Sequence, residues 1–182
     1  TQIGDDIDGE SYFANSASGS SVSLSADGSF VAIGSPGYTS SVPYQNRVGH
    51  VRIYENVNGI WTQIGDDIDG EAEWDRSGYS VSLSSDGSVV AIGARYNDGI
   101  NGSDSGHVRI YQNINNTWTK IGDDIDGEAA SDYSGGSVSL SSDGSVVAIG
   151  ATYNDGNGAS SGHVRIYQNV NGTWTQVGSD ID

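Results

Sequence analysis

Trp118-Thr119-Lys120-Ile121-Gly122-Asp123-Asp124-Ile125-Asp126-Gly127-Glu128 decides the fold, because the chain repeats it. It recurs almost unchanged at residues 61–71, opens the chain at residues 1–10 and closes it at residues 174–182. Trp61, Trp118 and Trp174 stand 57 and then 56 residues apart. A fixed period of this order marks a solenoid, a propeller or an array, in which each unit buries its apolar faces on its neighbours.

Four strands are legible inside each period. Ser80-Val81-Ser82-Leu83-Ser84 alternates polar and apolar residues, the two-residue period of a strand. Ser85-Asp86-Gly87-Ser88 follows, and Asp-Gly between two such runs signals a hairpin. Val89-Val90-Ala91-Ile92 is apolar on both sides, as a strand covered on both faces must be. A polar loop over residues 93–106 leads to His107-Val108-Arg109-Ile110-Tyr111, then a turn at residues 113–116, then a fourth strand over residues 117–125. The first and third repeats carry the same order, with Asp27-Gly28 and Asp143-Gly144 at the hairpin. The first is longer, and its extra residues fall in loops 11–19 and 35–49, which marks those loops as surface. The expectation is an all-β chain of three tandem repeats of about 57 residues, each a four-stranded antiparallel propeller-type blade. The expected division is an extra outer strand at 1–10 and blades at 11–71, 72–128 and 129–182. A β-solenoid competes, but its coils usually have a shorter period.

Ser77-Gly78-Tyr79-Ser80-Val81-Ser82-Leu83, followed by Val90-Ala91-Ile92-Gly93-Ala94, resembles the FG-GAP repeat of integrin-α-type propellers. Gly34-Ser35-Pro36 is the nearest counterpart of the Gly-Ala-Pro in that name. The resemblance runs through all three repeats, which also look like those of secreted, repeat-rich surface proteins. It implies an extracellular module for adhesion. Two departures matter. Ser-Gly stands where Phe-Gly is usual. The family's calcium loop joins the first and second strands, and here that connection is only Ser85-Asp86-Gly87-Ser88, too short for a full set of oxygen ligands.

Composition narrows function further. With 24 acidic and 7 basic residues the net charge is −17, which argues against nucleic acid and anionic membranes. There is no cysteine, so disulfides and thiolate chemistry are excluded. No apolar run reaches the roughly 20 residues of a membrane span. The chain starts inside its own repeat without Met, and is expected to be a processed product or an excerpt.

In an up-and-down meander, the turns one-to-two and three-to-four leave one end of the blade. The longer, more acidic connections leave the other. Acids gathered there suit Ca²⁺, a cation of six to eight oxygens. Asp67, Asp69 and Glu71, with Asp124, Asp126 and Glu128, are the candidate metal ligands. Turn chemistry is the competing reading of each acid. Trp74, Asp75, Asn97, Asp98, Asp132, Tyr133, Asn154 and Asp155 are candidate ligand-binding residues, since aromatics beside acids and amides stack on sugars; Tyr12 and Phe13 lie in the same class of loop. His50, His107 and His163 share one repeat position, as do Arg52, Arg109 and Arg165. Threefold use points to structure, with Arg pairing a repeated Asp between blades, and the repeated tryptophans are read as blade packing. Asn101, Asn115 and Asn171 head glycosylation sequons, to be used if the source is eukaryotic. No nucleophilic triad or phosphate loop is visible, and no carboxylate pair stands out from the repeat.

The expected function is therefore a non-enzymatic extracellular repeat module for adhesion or structural self-assembly. The alternative is a carbohydrate-binding module with a calcium-dependent acidic loop face, and glycan cleavage comes third. The expected partners are further copies of itself or further repeats of a longer parent, with glycans or surface proteins second. The end blades should present open apolar faces, expected around Val31, Ile33, Val147 and Ile149.

Overall fold

The computed structural model describes residues 1–10, 16–41 and 44–182. The described residues are all-β, without a helix. The first sheet comprises β1 (Ser21–Leu24), β2 (Phe30–Ser35), β5 (His50–Val57), β6 (Ile60–Gln63) and β7 (Ile68–Asp69), with β3 (Ser40–Ser41) and β4 (Tyr44–Gln45) forming a small hairpin in the inserted loop. The second comprises β8 (Ser80–Leu83), β9 (Val89–Ala94), β10 (His107–Ile114), β11 (Thr117–Lys120) and β12 (Ile125–Asp126). The third comprises β13 (Ser134–Leu140), β14 (Val146–Ala151), β15 (His163–Val170) and β16 (Thr173–Gln176). Each is an antiparallel meander in chain order, the arrangement of a propeller blade, and the three do not close into a ring.

The turns follow their residues. Asn58 and Gly59 both take positive φ and join β5 to β6 in a two-residue hairpin; Asn115-Asn116 and Asn171-Gly172 repeat it. At the Asp-Gly connection the aspartate holds the turn. Asp27 accepts hydrogen bonds from the Ser25 hydroxyl and from the amide and hydroxyl of Ser29. Asp86 and Asp143 do the same.

The fourth strand is not continuous. β11 stops at Lys120 and pairing with β10 resumes only at Ile125–Asp126. The cause lies in the next blade. Gly65, at φ +68°, lies against Trp118, and a Cβ there would stand 2.9 Å from both the ring and the Asn116 carbonyl. Gly122 makes the same approach to Trp174. The chain swings out of its own sheet at this glycine to meet the following blade, then returns to pair with its own third strand.

Two apolar cores sit between blades. One holds Ala32, Val51 and Ile53 of the first blade against Val81, Leu83, Val90 and Ile92 of the second, with Trp118 on its flank. The other holds Val89, Ala91, Val108 and Ile110 against Val147 and Ile149, flanked by Trp174. Serine hydroxyls tie the first strands together across the junction: Ser21 donates to the Gly78 carbonyl and Ser80 to the Gly135 carbonyl, each at 2.8 Å. The polar half of the Ser-Val-Ser-Leu alternation is thus used between blades.

The open end faces differ from expectation. Val147 and Ile149 are fully buried, because they point back at the second blade. The outward residues of the third blade are Val146, Ala148, Val164 and Ile166, all partly or largely accessible. On the first blade Ile33 is buried and Val31 partly so, while Val22 and Leu24 are exposed. On the third blade the open face thus lies one residue out of register from the expected one, which in a strand means the opposite side, whereas Val31 and Ile33 do lie on the side of the first blade away from the second.

Residues 1–10, expected as an outer strand, form none. Their counterparts Ile68–Asp69 pair with the third strand of their own blade. They nevertheless lie on the first blade as each later copy lies on its successor. The Trp61 indole donates to the Ile3 carbonyl, as Trp118 does to Ile64 and Trp174 to Ile121.

Candidate functional site

The junction between blades is where the repeated charged residues meet. His50, His107 and His163 open the third strands and are buried. Arg52, Arg109 and Arg165, two residues on, point the same way. Each guanidinium donates to a main-chain carbonyl of the preceding repeat: Asp8 at 3.0 Å, Asp69 at 2.8 Å and Asp126 at 2.7 Å. Arg109 also pairs with Glu71 at 3.2 Å and Arg165 with Glu128 at 3.6 Å. The expected Arg–Asp pairing is therefore made through the aspartate's carbonyl, and the carboxylate partner is the glutamate two residues later.

The six candidate metal ligands do not gather in one place. Asp67 stays with its own blade, 3.5 Å from Nδ1 of His50. Glu71 passes to the next junction, beside His107 and Asp124. Glu128 likewise joins His163 and Asp180. Asp69 and Asp126 lie between these groups with their carbonyls bonded to arginine. Partial burial, then neighbouring acids, pushes both of their carboxyls above the usual range. Burial also holds the His50 and His107 imidazoles down, to about 4, so both rings are neutral at pH 7. The histidines were legible as a repeat position, but their acidic surroundings come from two repeats at once.

The candidate ligand-binding residues divide into a buried and an exposed set. Asp75 is buried, accepting from the Asn97 side chain at 3.0 Å and from the Ala72 amide. Asp132 repeats this with Asn154 at 2.8 Å and the Ala129 amide. These four residues clasp the loop entering a blade to the loop between its second and third strands; they face the protein. Asp98 and Asp155 are exposed, and each binds the amide of its own loop, at Asp104 and Ser160. Trp74 is exposed, at φ +74°, with Arg47 over its ring. Tyr133 belongs to an edge-to-face row, Tyr79–Tyr96–Tyr133–Tyr153, with Arg95 lying 4.6–4.9 Å from the first three ring centres. Sequence reading missed this row because its members come from two loops of each blade. Tyr12 and Phe13 lie outside the described residues. Of the sequon asparagines, Asn115 and Asn171 are exposed on hairpin turns, and the Asn101 amide is bonded to the Gly127 carbonyl.

Sheet order, blade junctions and repeat length together define a β-propeller-like module. Residues 67–111 match the family model of the FG-GAP repeat, which bears out the resemblance drawn from Ser77 to Ala94. No curated protein matches the sequence. Solved structures of similar fold include a candidate 6-phosphogluconolactonase from Bacteroides uniformis (TM-score 0.59, 16% identity, 88% of this chain and 39% of that one). Sqt1 of Saccharomyces cerevisiae gives 0.55 at 14% identity, over 92% of this chain and 36% of that one. Hydrazine synthase of Kuenenia stuttgartiensis gives 0.54 at 11%, over 97% and 40%. The chain spans about two fifths of the length of these structures, and at such identities the likeness is one of fold.

Proposed function

We propose that the chain is a non-enzymatic extracellular module for adhesion or structural assembly, working by stacking FG-GAP-type blades on further copies of the same repeat. The observation that carries this reading is the junction itself. One set of contacts, tryptophan to the Ile carbonyl and arginine to the Asp carbonyl, is used at Trp61, Trp118 and Trp174 alike. A geometry that serves three times can serve again. The third blade presents an apolar face of the kind that the first and second blades bury at such junctions, with Val164 36% exposed where Val51 and Val108 are fully buried. The buried acid–amide pairs Asp75–Asn97 and Asp132–Asn154 serve the scaffold twice over, which favours a binding or structural role over catalysis. Extracellular placement is supported by the FG-GAP match and by the acidic surface. No helix long and apolar enough to cross a membrane is present among the described residues.

Light scattering tests the assembly reading. The chain should associate with rising concentration, and Val164→Glu, which charges the open face without touching a core, should abolish association. A monodisperse monomer at millimolar concentration, indistinguishable from that variant, would refute it. The second reading, a glycan-binding loop face, is supported by exposed Trp74 and the tyrosine row; a glycan array with and without chelator checks it.

A further inference from the structure

The same three side chains meet at every junction: Glu10, His50 and Asp67; Glu71, His107 and Asp124; Glu128, His163 and Asp180. In each set one donor atom per residue lies within 4.8 Å of the others. The glutamate comes from the end of one repeat, the histidine and aspartate from the next. All nine donors belong to one chain, so nothing here depends on assembly.

The distances are informative. Nδ1 stands 3.5 Å from Asp67 at His50, 3.7 Å from Asp124 at His107, and 3.7 and 3.6 Å from Glu128 and Asp180 at His163. N–H···O bonds run at about 2.7–3.2 Å, so these contacts are too long to be hydrogen bonds. Nδ1 of His50 and of His163 has no hydrogen-bond partner at all, although both rings are buried. Donors about 2.0–2.1 Å from one tetrahedral ion stand about 3.3–3.4 Å apart, close to the histidine–aspartate distances, while the glutamates lie within 4.8 Å and would close in on the ion.

The carboxylates are also oriented. Oδ1 of Asp67 is held by the Gln63 amide at 2.7 Å, Oδ1 of Asp124 by the Lys120 ammonium at 2.7 Å and Oδ1 of Asp180 by the Gln176 amide at 2.6 Å. Oδ2 is thereby turned to the imidazole in all three. Outer partners that fix a ligand's free oxygen in this way are a recurrent feature of metal sites.

We propose that each junction binds one divalent ion of the zinc class through the histidine Nδ1, the aspartate Oδ2 and the glutamate carboxylate, with water completing the shell. The nitrogen donor distinguishes this from the all-oxygen calcium site expected of the acids alone, since Ca²⁺ takes six to eight oxygens. Each ion would pin the end of one repeat to the third strand of the next.

The full chain, freed of metal by chelator, is titrated with Zn²⁺ by calorimetry and melted with Zn²⁺, Ca²⁺ or chelator at matched ionic strength. Three tight equivalents and a midpoint raised by several degrees in Zn²⁺ are expected. Glu71→Gln should bind two. The triple variant Glu10→Gln/Glu71→Gln/Glu128→Gln should lose all three while still melting cooperatively in chelator. Co²⁺ should give a visible ligand-field spectrum in the native chain and none in the triple variant. Stabilisation by Ca²⁺ alone would overturn the proposal. So would Zn²⁺ binding of equal stoichiometry in the triple variant, which would locate the ions on the general acidic surface.

Discussion

β9 and β14 have one sequence, Val-Val-Ala-Ile-Gly-Ala, and two environments. All six residues of β9 are buried, whereas burial alternates along β14. Nothing local separates them. The second blade is covered on both sides and the third on one, so the same strand is a core strand in one place and half a surface in the other. Burial in a repeat protein is set by neighbours. The apolar face spelled out in every repeat is covered inside the array and left open on the third blade.

The largest expected effect puts that comparison to a direct test. Ala91 is fully buried between the second and third blades; Ala148 occupies the same repeat position on the open side. Ala91→Asp places an unpaired carboxylate in an apolar junction and should cost about 3 kcal/mol or more, enough to show as lost cooperativity in urea unfolding. Ala148→Asp should change the stability of the single chain by no more than about 0.5 kcal/mol. Equal losses at the two positions would mean that the third blade's outer face is already covered.

The penultimate glycine of each of these strands sharpens the point at shorter range. A Cβ on Gly93 would lie 2.1 Å from the Gly135 carbonyl of the next blade, which is backbone and cannot turn aside. On Gly150 the nearest atom is the Ser137 hydroxyl at 2.4 Å, which a rotamer change removes. Gly93→Ala should therefore destabilise by about 1–3 kcal/mol through forced separation of the blades, and Gly150→Ala by far less. Thermal midpoints of the two variants measure the difference.

A pH effect of intermediate size follows from the buried histidines. His50 and His107 are held to about 4 by burial, against an ordinary value of 6.5. Between those values the unfolded chain binds protons that the folded chain does not, so stability rises with pH through that window. The contribution is complete above pH 6.5 and falls away toward pH 4. Urea midpoints in chelator at pH 7, 5.5 and 4.5 should decline in that order, and His107→Gln should flatten the slope.

How much of this was legible depends on how far the cause lies from the residue. The repeat, the four strands and their meander were readable because two-residue alternation and Asp-Gly turns act within a few positions. The break in the fourth strand at Gly65 and Gly122 was not, because its cause is a tryptophan more than fifty residues on. Asp67 and Glu71 look like one strand-end cluster in sequence, yet a blade junction runs between them. Asp75 and Asn97 read as exposed ligands because they sit in polar loops; only loop closure buries them. The outward face of β14 was misread for want of a neighbour to define which side is inside.

The smallest expected effect is one in which the blades should not differ at all. Asp27 and Asp143 are held down to about 2, and Asp86 below its usual value, by the hydroxyls and amides of the serines in their own turns. A carboxyl depressed on folding adds stability that is fully present above its unfolded value near 4 and is lost as pH falls toward 2. The donors to each aspartate come from its own turn, and the turns meet one another only through main-chain bonds, Ala26 amide to Ser85 carbonyl and Ser85 amide to Ser142 carbonyl. Asp86→Ala in the covered blade and Asp143→Ala in the end blade should therefore lower the thermal midpoint equally at pH 7. Both variants should also converge on the unaltered chain as pH falls from about 4 through about 2, where its own aspartates take up protons. If Asp86→Ala proved the more damaging, the cooperative unit would extend from the junction out to the hairpin tips. The separation of local turn chemistry from shared blade packing would then fail.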